Sequence, residues 1–293
     1  MNRYRVVHVT RYEYEAPVVH AHHLGHLRPR GLDGQKLMSS EVKVEPAPVT
    51  TSRFADYFGN VCDEVEILSA HDLLEVTASS VVEVSGSDFD PNSAAVTPWD
   101  DLARRMRDDP YFLSVREYCF ESPLIRMHPQ LASYAKSTFS PGRPLVSAVL
   151  ELNQRIYDEF TYDATVTDVS TPLTQVLREK RGVCQDFAQV AIGCLRSLGL
   201  AARYVSGYLE TLPPAGRPRL IGADASHAWA SVYVPYHGWL DFDPTNAVLP
   251  SERHVTLAYG RDFSDASPLR GVVLGGGAQR LSVSVDVRPE SAG

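Results

Sequence analysis

The sequence predicts an α+β protein in which an N-terminal antiparallel β domain precedes a core of helices packed on a second antiparallel sheet. Three observations predict it. Residues 3–88 carry β-rich runs broken by turn signals, without helical periodicity. Thr97-Pro98-Trp99 then joins a cap residue to proline at a first helical position, so the pattern changes near residue 95. Beyond it, helical stripes come first and strand-like runs afterwards, the order of an α+β domain.

The β-rich runs are Tyr4–Tyr14, Ser40–Val44, Val61–Leu68 and Leu73–Val84, with turns at Leu32-Asp33-Gly34, Phe58-Gly59-Asn60 and Ser85-Gly86-Ser87. Such spacing predicts a sandwich or small barrel. Ser87–Ser93 reads as a linker. Helices are expected over 98–107, 129–137 and 144–159, the last with one apolar stripe through Val146, Val149, Leu150, Leu152, Ile156 and Phe160. A short helix follows from Pro172 to Arg178. The clearest helix starts at Cys184, where Phe187, Val190, Ala191, Cys194, Leu195 and Leu198 recur at helical spacing and Gly199 supplies the stop.

Strand-like runs then appear at Ala202–Leu209, His227–Val234, Trp239–Phe242 and Arg280–Val287, with a surface loop at 212–218 and a glycine hinge at Gly275-Gly276-Gly277. The glycines lack the Lys-Ser/Thr of a phosphate loop. We therefore expect a β-rich domain over 1–90, a helical linker region over 91–140, and a second core over 141–293 that includes the C-terminal strand.

Composition narrows the function. The 293 residues leave room for about two domains. A hydrophobic share of 44% against 22% charged is that of an ordinary globular chain. Lys+Arg 28 against Asp+Glu 36 gives a net charge of −8, which disfavours nucleic acid and anionic membranes as partners. The N-terminus carries no long apolar block and no segment is long and apolar enough to span a bilayer, so a cytoplasmic location is expected.

The cysteines, Cys62, Cys119, Cys184 and Cys194, lie at wide spacings with no C-x-x-C, which fits neither a disulfide framework nor a zinc cage. Each is judged by its neighbours. Cys184 falls in the first turn of a helix, where unsatisfied N–H groups favour thiolate over the ordinary thiol pKa of about 8.5 and can also hold an oxyanion. Gly182 ahead of it permits a close approach. Cys194 has core neighbours only.

Alternation along Ser226–Val234 sends His227, Trp229, Ser231 and Tyr233 to one face and Ala228, Ala230, Val232 and Val234 to the other. On the next strand Trp239, Asp241 and Asp243 share a face. Asp243, at a strand end before proline, suits either an Asx turn or the orientation of an imidazole. In the second case it accepts from one ring nitrogen of His227, leaving the other to exchange a proton with Cys184. A plain hairpin with 235–238 as its loop pairs Val234 with Trp239 and sets Asp243 opposite Ala230, three places from His227. An offset register, by a bulge or by strands that are not directly paired, is then required.

Arg181-Gly182-Val183-Cys184-Gln185-Asp186-Phe187-Ala188, Ser226-His227-Ala228-Trp229 and Gly238-Trp239-Leu240-Asp241-Phe242-Asp243-Pro244-Thr245-Asn246 closely resemble, in this order, the three motifs of the bacterial transglutaminase-like superfamily. These are papain-like cysteine peptidases and acyltransferases. The resemblance implies Cys184 as nucleophile, His227 as general base and acid, and Asp243 as orienter, with Asp241, displaced by two positions, as second choice. It extends upstream through His8–Tyr14, His26–Arg30 and Asp56–Asn60, which resemble the N-terminal region of many bacterial members. Tyr162 matches an aromatic position ahead of the cysteine and is assigned a wall or hydrogen-bonding role. Gln185 and Trp229 are further candidates for substrate contact or support. The calcium sites of animal transglutaminases have no counterpart here, so cross-linking does not transfer with the fold.

His20, His22, His23 and His26 cluster, yet no carboxylate or thiol completes a metal set at clear spacing, so they read as a surface segment. The expected activity is cysteine-dependent hydrolysis of an amide in a peptide or protein substrate, with no metal and no cofactor. Transfer of the acyl group to an amine uses the same residues. A binding or scaffold module that kept the fold without turnover is the reading from a different class.

Overall fold

The computed structural model describes residues 1–86, 89, 97–210 and 226–290. The loop expected at 212–218, and all of the 87–93 linker except Phe89, lie outside the described residues.

The chain opens with a single long strand, β1 (Asn2–Gly25), followed by β2 (Gln35–Glu45), β3 (Thr50–Ala55), β4 (Val61–Ile67) and β5 (His71–Val84). Tyr4, Val6, Tyr14 and Val18 alternate inward along β1, and after a register shift past Val18 the inward positions continue from Ala21. Helices α1 (Trp99–Asp108), α2 (Pro129–Lys136) and α3 (Leu145–Glu159) come next, with two 3-10 turns at Pro110–Phe112 and Arg116–Cys119. Then follow β6 (Thr161–Tyr162), α4 (Leu173–Glu179), β7 (Arg181–Gly182), α5 (Cys184–Ser197), β8 (Ala202–Leu209), β9 (Ser226–Val234) and β10 (Gly238–Phe242). The chain ends with β11 (His254–Gly260), α6 (Phe263–Ala266), β12 (Leu269–Gly275) and β13 (Gln279–Pro289).

The N-terminal sheet is one seven-stranded antiparallel sheet rather than the expected sandwich or barrel, with β2 and β3 along one edge and β12 and β13 along the other. β1 is its axis. On one side it pairs with β5 over residues 2–13 and with β4 over 21–25; on the other it pairs with β13 over 4–14 and with β12 over 18–25. The C-terminal strand therefore belongs to the N-terminal sheet, and 141–293 is not a spatial unit. Local pattern identifies a strand but not its partner, since ladder bonds form between residues remote in sequence. The three glycines expected as a hinge form the β12–β13 turn, all at positive φ.

The second sheet has the order β10-β9-β8-β11, all antiparallel. Its Ala228, Ala230, Val232 and Val234 face lies in one core with α5. Every residue of α5 except Gln185 and Ser197 is buried, so this helix is the centre of the domain rather than a one-stripe surface helix. Helices α2, α3 and α4 surround it. No helix among the described residues is long and apolar enough to cross a membrane.

Candidate active site

Cys184 is the first residue of α5, and the residues before it explain why the helix begins there. Val183 is extended, and the buried Asp186 carboxylate folds back to accept its N–H at 2.8 Å and the Thr167 hydroxyl at 2.7 Å. A Cβ at residue 182 would lie 2.5 Å from that carboxylate, so glycine there makes room for the cap. The first intrahelical bond runs from Phe187 N–H to Val183 carbonyl, leaving the N–H groups of Cys184 and Gln185 without helical acceptors. The Cys184 side chain is 9% exposed, its Sγ 4.0 Å from the Ser226 carbonyl at the start of β9.

The β9–β10 hairpin brings the other two residues to it. Gly238 pairs with Val234 and Phe242 with Ala230, so the loop is the three residues 235–237, one shorter than the hairpin considered from sequence. Tyr236, at φ 65°, closes that turn in the left-handed region. The one-place shift continues the register so that Asp243 follows the residue opposite Ala230 and reaches the face of His227. No bulge is needed and the strands are directly paired. His227 Nε2 lies 2.7 Å from Asp243 Oδ2, and Cys184 is the other group whose charge acts on the ring. With Nε2 on the carboxylate, Nδ1 is the nitrogen available to the sulfur.

Asp243 is fully buried and heavily donated to. Besides His227, its Oδ2 accepts from Asn246 Nδ2 at 2.6 Å and from His254 Nε2 at 3.4 Å, while Oδ1 accepts the Thr245 N–H at 2.9 Å. The Asx-turn geometry and the imidazole contact, weighed as alternatives from sequence, occur together, one on each oxygen. Burial opposes the charged carboxylate, but the His227, His254 and Asn246 hydrogen bonds prevail and hold it well below the usual carboxylate range. Burial likewise opposes the His227 imidazolium. The hydrogen bonds and charges of Asp243 and Cys184 outweigh it and push His227 up to about 10.

The remaining candidates separate. Tyr162 is 54% exposed on β6, which pairs in parallel with β7 just ahead of Cys184. Burial of its hydroxyl and the charge of Cys184 raise its pKa. Gln185 is half-buried beside Cys184, and its amide makes no hydrogen bond among the described residues. Trp229 is fully buried, donates Nε1 to Asp241 Oδ2 at 3.1 Å, and stands edge-on to His254 with ring centroids 5.3 Å apart. It has no surface for a substrate and acts, with Asp241, as backing. Asp241 makes no contact with His227.

Sequence reasoning missed His254, because β11 is buried at every position and shows no alternation. Its ring is fixed by the Ser251 N–H on Nδ1 at 3.3 Å, which leaves Nε2–H to donate to Asp243. The histidine cluster at the end of β1 and just past it is only half a surface feature. His20 and His22 pair with Glu66 and Glu64 at 2.9 Å, whereas His23 and His26 are buried. Among the described residues two groups have ligand atoms close enough to share a metal ion: His26, Asp56 and Cys62, and His227, Asp243 and His254. In the first, His26 is hydrogen-bonded to Asp56 at 3.2 Å and to the Ser267 carbonyl at 2.9 Å.

Comparison with known proteins matches residues 4–83 to the bacterial transglutaminase-like N-terminal region and residues 132–244, which contain Cys184, His227 and Asp243, to the transglutaminase-like superfamily. An uncharacterised protein of Mycobacterium tuberculosis is 39% identical, aligned over 98% of this chain and 93% of its own length. One of Mycobacterium leprae is 33% identical over 98% and 99%. A protein-glutamine gamma-glutamyltransferase of Pseudomonas aeruginosa is 30% identical over 48% of this chain but only 22% of its own length. In structure, a candidate cysteine protease from Cytophaga hutchinsonii superposes with a TM-score of 0.79 at 20% identity, covering 100% of this chain and 92% of that one, which establishes the shared fold. With the N-terminal sheet, the helix-on-sheet core and both sequence regions matched, this chain belongs to the bacterial transglutaminase-like superfamily.

Proposed function

We propose that the protein is a cysteine-dependent amide hydrolase acting on a peptide or protein through Cys184, His227 and Asp243. The observation that carries this reading is one imidazole set between two partners: Nε2 on a buried carboxylate, and the sulfur at the N-terminus of α5 acting on the same ring. Cys184 Sγ attacks the amide carbonyl carbon while the carbonyl π pair moves to oxygen. The Cys184 and Gln185 N–H groups lie where they can hold that oxyanion. The imidazolium of His227 gives its Nδ1 proton to the departing amine as the C–N bond breaks, leaving a thioester. His227 then takes a proton from water as it attacks the thioester, and collapse expels the acid and the Cys184 thiolate, restoring the thiolate beside the imidazolium. Asp243 keeps the ring oriented and stabilises its charged form throughout.

The test is a peptide library incubated with wild type and with Cys184→Ala, read by mass spectrometry with and without a primary amine. Hydrolysed products that vanish in the variant support the reading. Amine-bearing products dependent on Cys184 move it to acyl transfer, and products unchanged by Cys184→Ala overturn it.

A further inference from the structure

A second chemically distinctive place lies between the two sheets. A cavity of about 520 Å³ is bounded on one side by the N-terminal sheet, at Gly34 and Val84, and on the other by β8, β10 and β11. That volume suits a small-molecule ligand. Neither Cys184 nor His227 lines it; its approach to the candidate active site is through His254.

The cavity is organised around Arg203. Tyr259 reaches it from β11 on one side of β8, with the guanidinium carbon 3.5 Å from the ring centroid. Trp239 reaches it from β10 on the other side, at 4.2 Å. The guanidinium is thus held between two aromatic rings, which fixes its plane. Its five N–H donors have no hydrogen-bond acceptor and no ion-pair partner among the described residues, and its Nε is buried. Neighbouring and buried arginines do find acceptors: Arg196 donates to the Ala202 and Arg261 carbonyls, Arg30 to Asn60 and the Phe58 carbonyl through Nη1, and Arg28 to Asp63. The side chain as a whole is half-buried, so its Nη groups face the cavity, while the buried Nε is costly to leave without an acceptor.

We infer that this cavity binds a small carboxylate with an apolar body, the carboxylate lying in the plane of the Arg203 guanidinium. With both rings stacked on its carbon, the guanidinium presents its N–H edge to a ligand, and a planar two-oxygen acceptor matches that edge bidentately. Leu249 and Pro250 supply an apolar wall. Asp33 and Asp241 also line the cavity. Asp241 is held by the Trp229 N–H and forms no ion pair with Arg203. These two acids disfavour a doubly charged ligand, which selects a monocarboxylate over phosphate.

The experiment is calorimetric titration of the whole protein with phenylacetate, and with benzyl alcohol and inorganic phosphate as comparators. Phenylacetate is expected to bind with Kd on the order of 1 mM, and benzyl alcohol and phosphate at least about tenfold more weakly. Arg203→Met is expected to lose about tenfold or more for phenylacetate, and Arg203→Lys, which keeps the charge without the fork, to lose a large part of it. Should the Met variant fail to fold, the Lys variant carries the test. Undiminished phenylacetate binding in the folded variants, equal binding of benzyl alcohol or phosphate, or no phenylacetate binding to wild type would each overturn the assignment. Cys184→Ala is expected to bind phenylacetate as wild type does, which separates this site from the proposed hydrolysis.

Discussion

His227 and His254 converge on the same atom, Oδ2 of Asp243, at 2.7 and 3.4 Å. One imidazole faces the sulfur; the other is locked by the Ser251 N–H and the edge of Trp229. The buried carboxylate is thus held from behind by a donor whose only polar duties are structural. His254→Leu removes that donor and is expected to lower kcat/KM about tenfold, whereas His254→Gln, which can still donate, should stay within about threefold of wild type. A Leu variant with full activity would remove His254 from any positioning role.

The four cysteines should differ sharply in reactivity. Burial pushes the thiols of Cys194 up to about 12 and of Cys62 and Cys119 up to about 11. Cys184 instead acts on the His227 imidazole, which is held in its charged form. Iodoacetamide at neutral pH is expected to modify Cys184 at least about a hundredfold faster than Cys194, with the fast phase absent in Cys184→Ala. Mass mapping of the labelled peptides reads this directly, and equal rates would sink the thiolate–imidazolium reading.

The charged pair also makes stability depend on pH. His227 is raised from 6.5 to about 10, so its contribution is complete below pH 6.5 and is lost as pH climbs towards 10. Asp243 is depressed, so its contribution is present above the ordinary carboxylate value of 3.8 and is lost as pH falls below it. Urea midpoints should therefore decline between pH 6.5 and about 10 more steeply in wild type than in His227→Gln. Parallel declines in the two proteins would contradict the assignment.

Arg196 fastens the far end of α5. Fully buried, it donates to the Ala202 carbonyl from Nε at 3.1 Å and Nη2 at 2.8 Å, to Ser122 at 3.1 Å and to the Arg261 carbonyl at 2.6 Å. Arg196→Met leaves three buried acceptors unanswered and is expected to cost about 3 kcal/mol of unfolding free energy. A loss under about 1 kcal/mol in urea titrations would show that these acceptors find water instead.

The site was more legible in sequence than the sheet that flanks it. Cys184, His227 and Asp243 sit in short motifs whose spacing reflects local geometry: a capped helix start and two ends of one hairpin. The hairpin register was not legible, because it turns on whether the loop holds three residues or four, and that depends on Tyr236 accepting a left-handed conformation. β11, which carries His254, hides because a strand covered on both faces loses its alternation. Arg203 gave no signal at all. Its two rings come from Trp239 and Tyr259, which meet only once four strands are assembled.

The long first strand has a consequence for biosynthesis. One flank of β1 is closed by β5, but the other waits for β13, with Tyr4 finally opposite Pro289. A nascent chain therefore leaves the ribosome with an unsheathed row of peptide groups along β1 until the whole helical core has followed. Excised alone, residues 1–90 would keep that row open and pair with copies of themselves, so the sheet is finished only when β13 reaches β1.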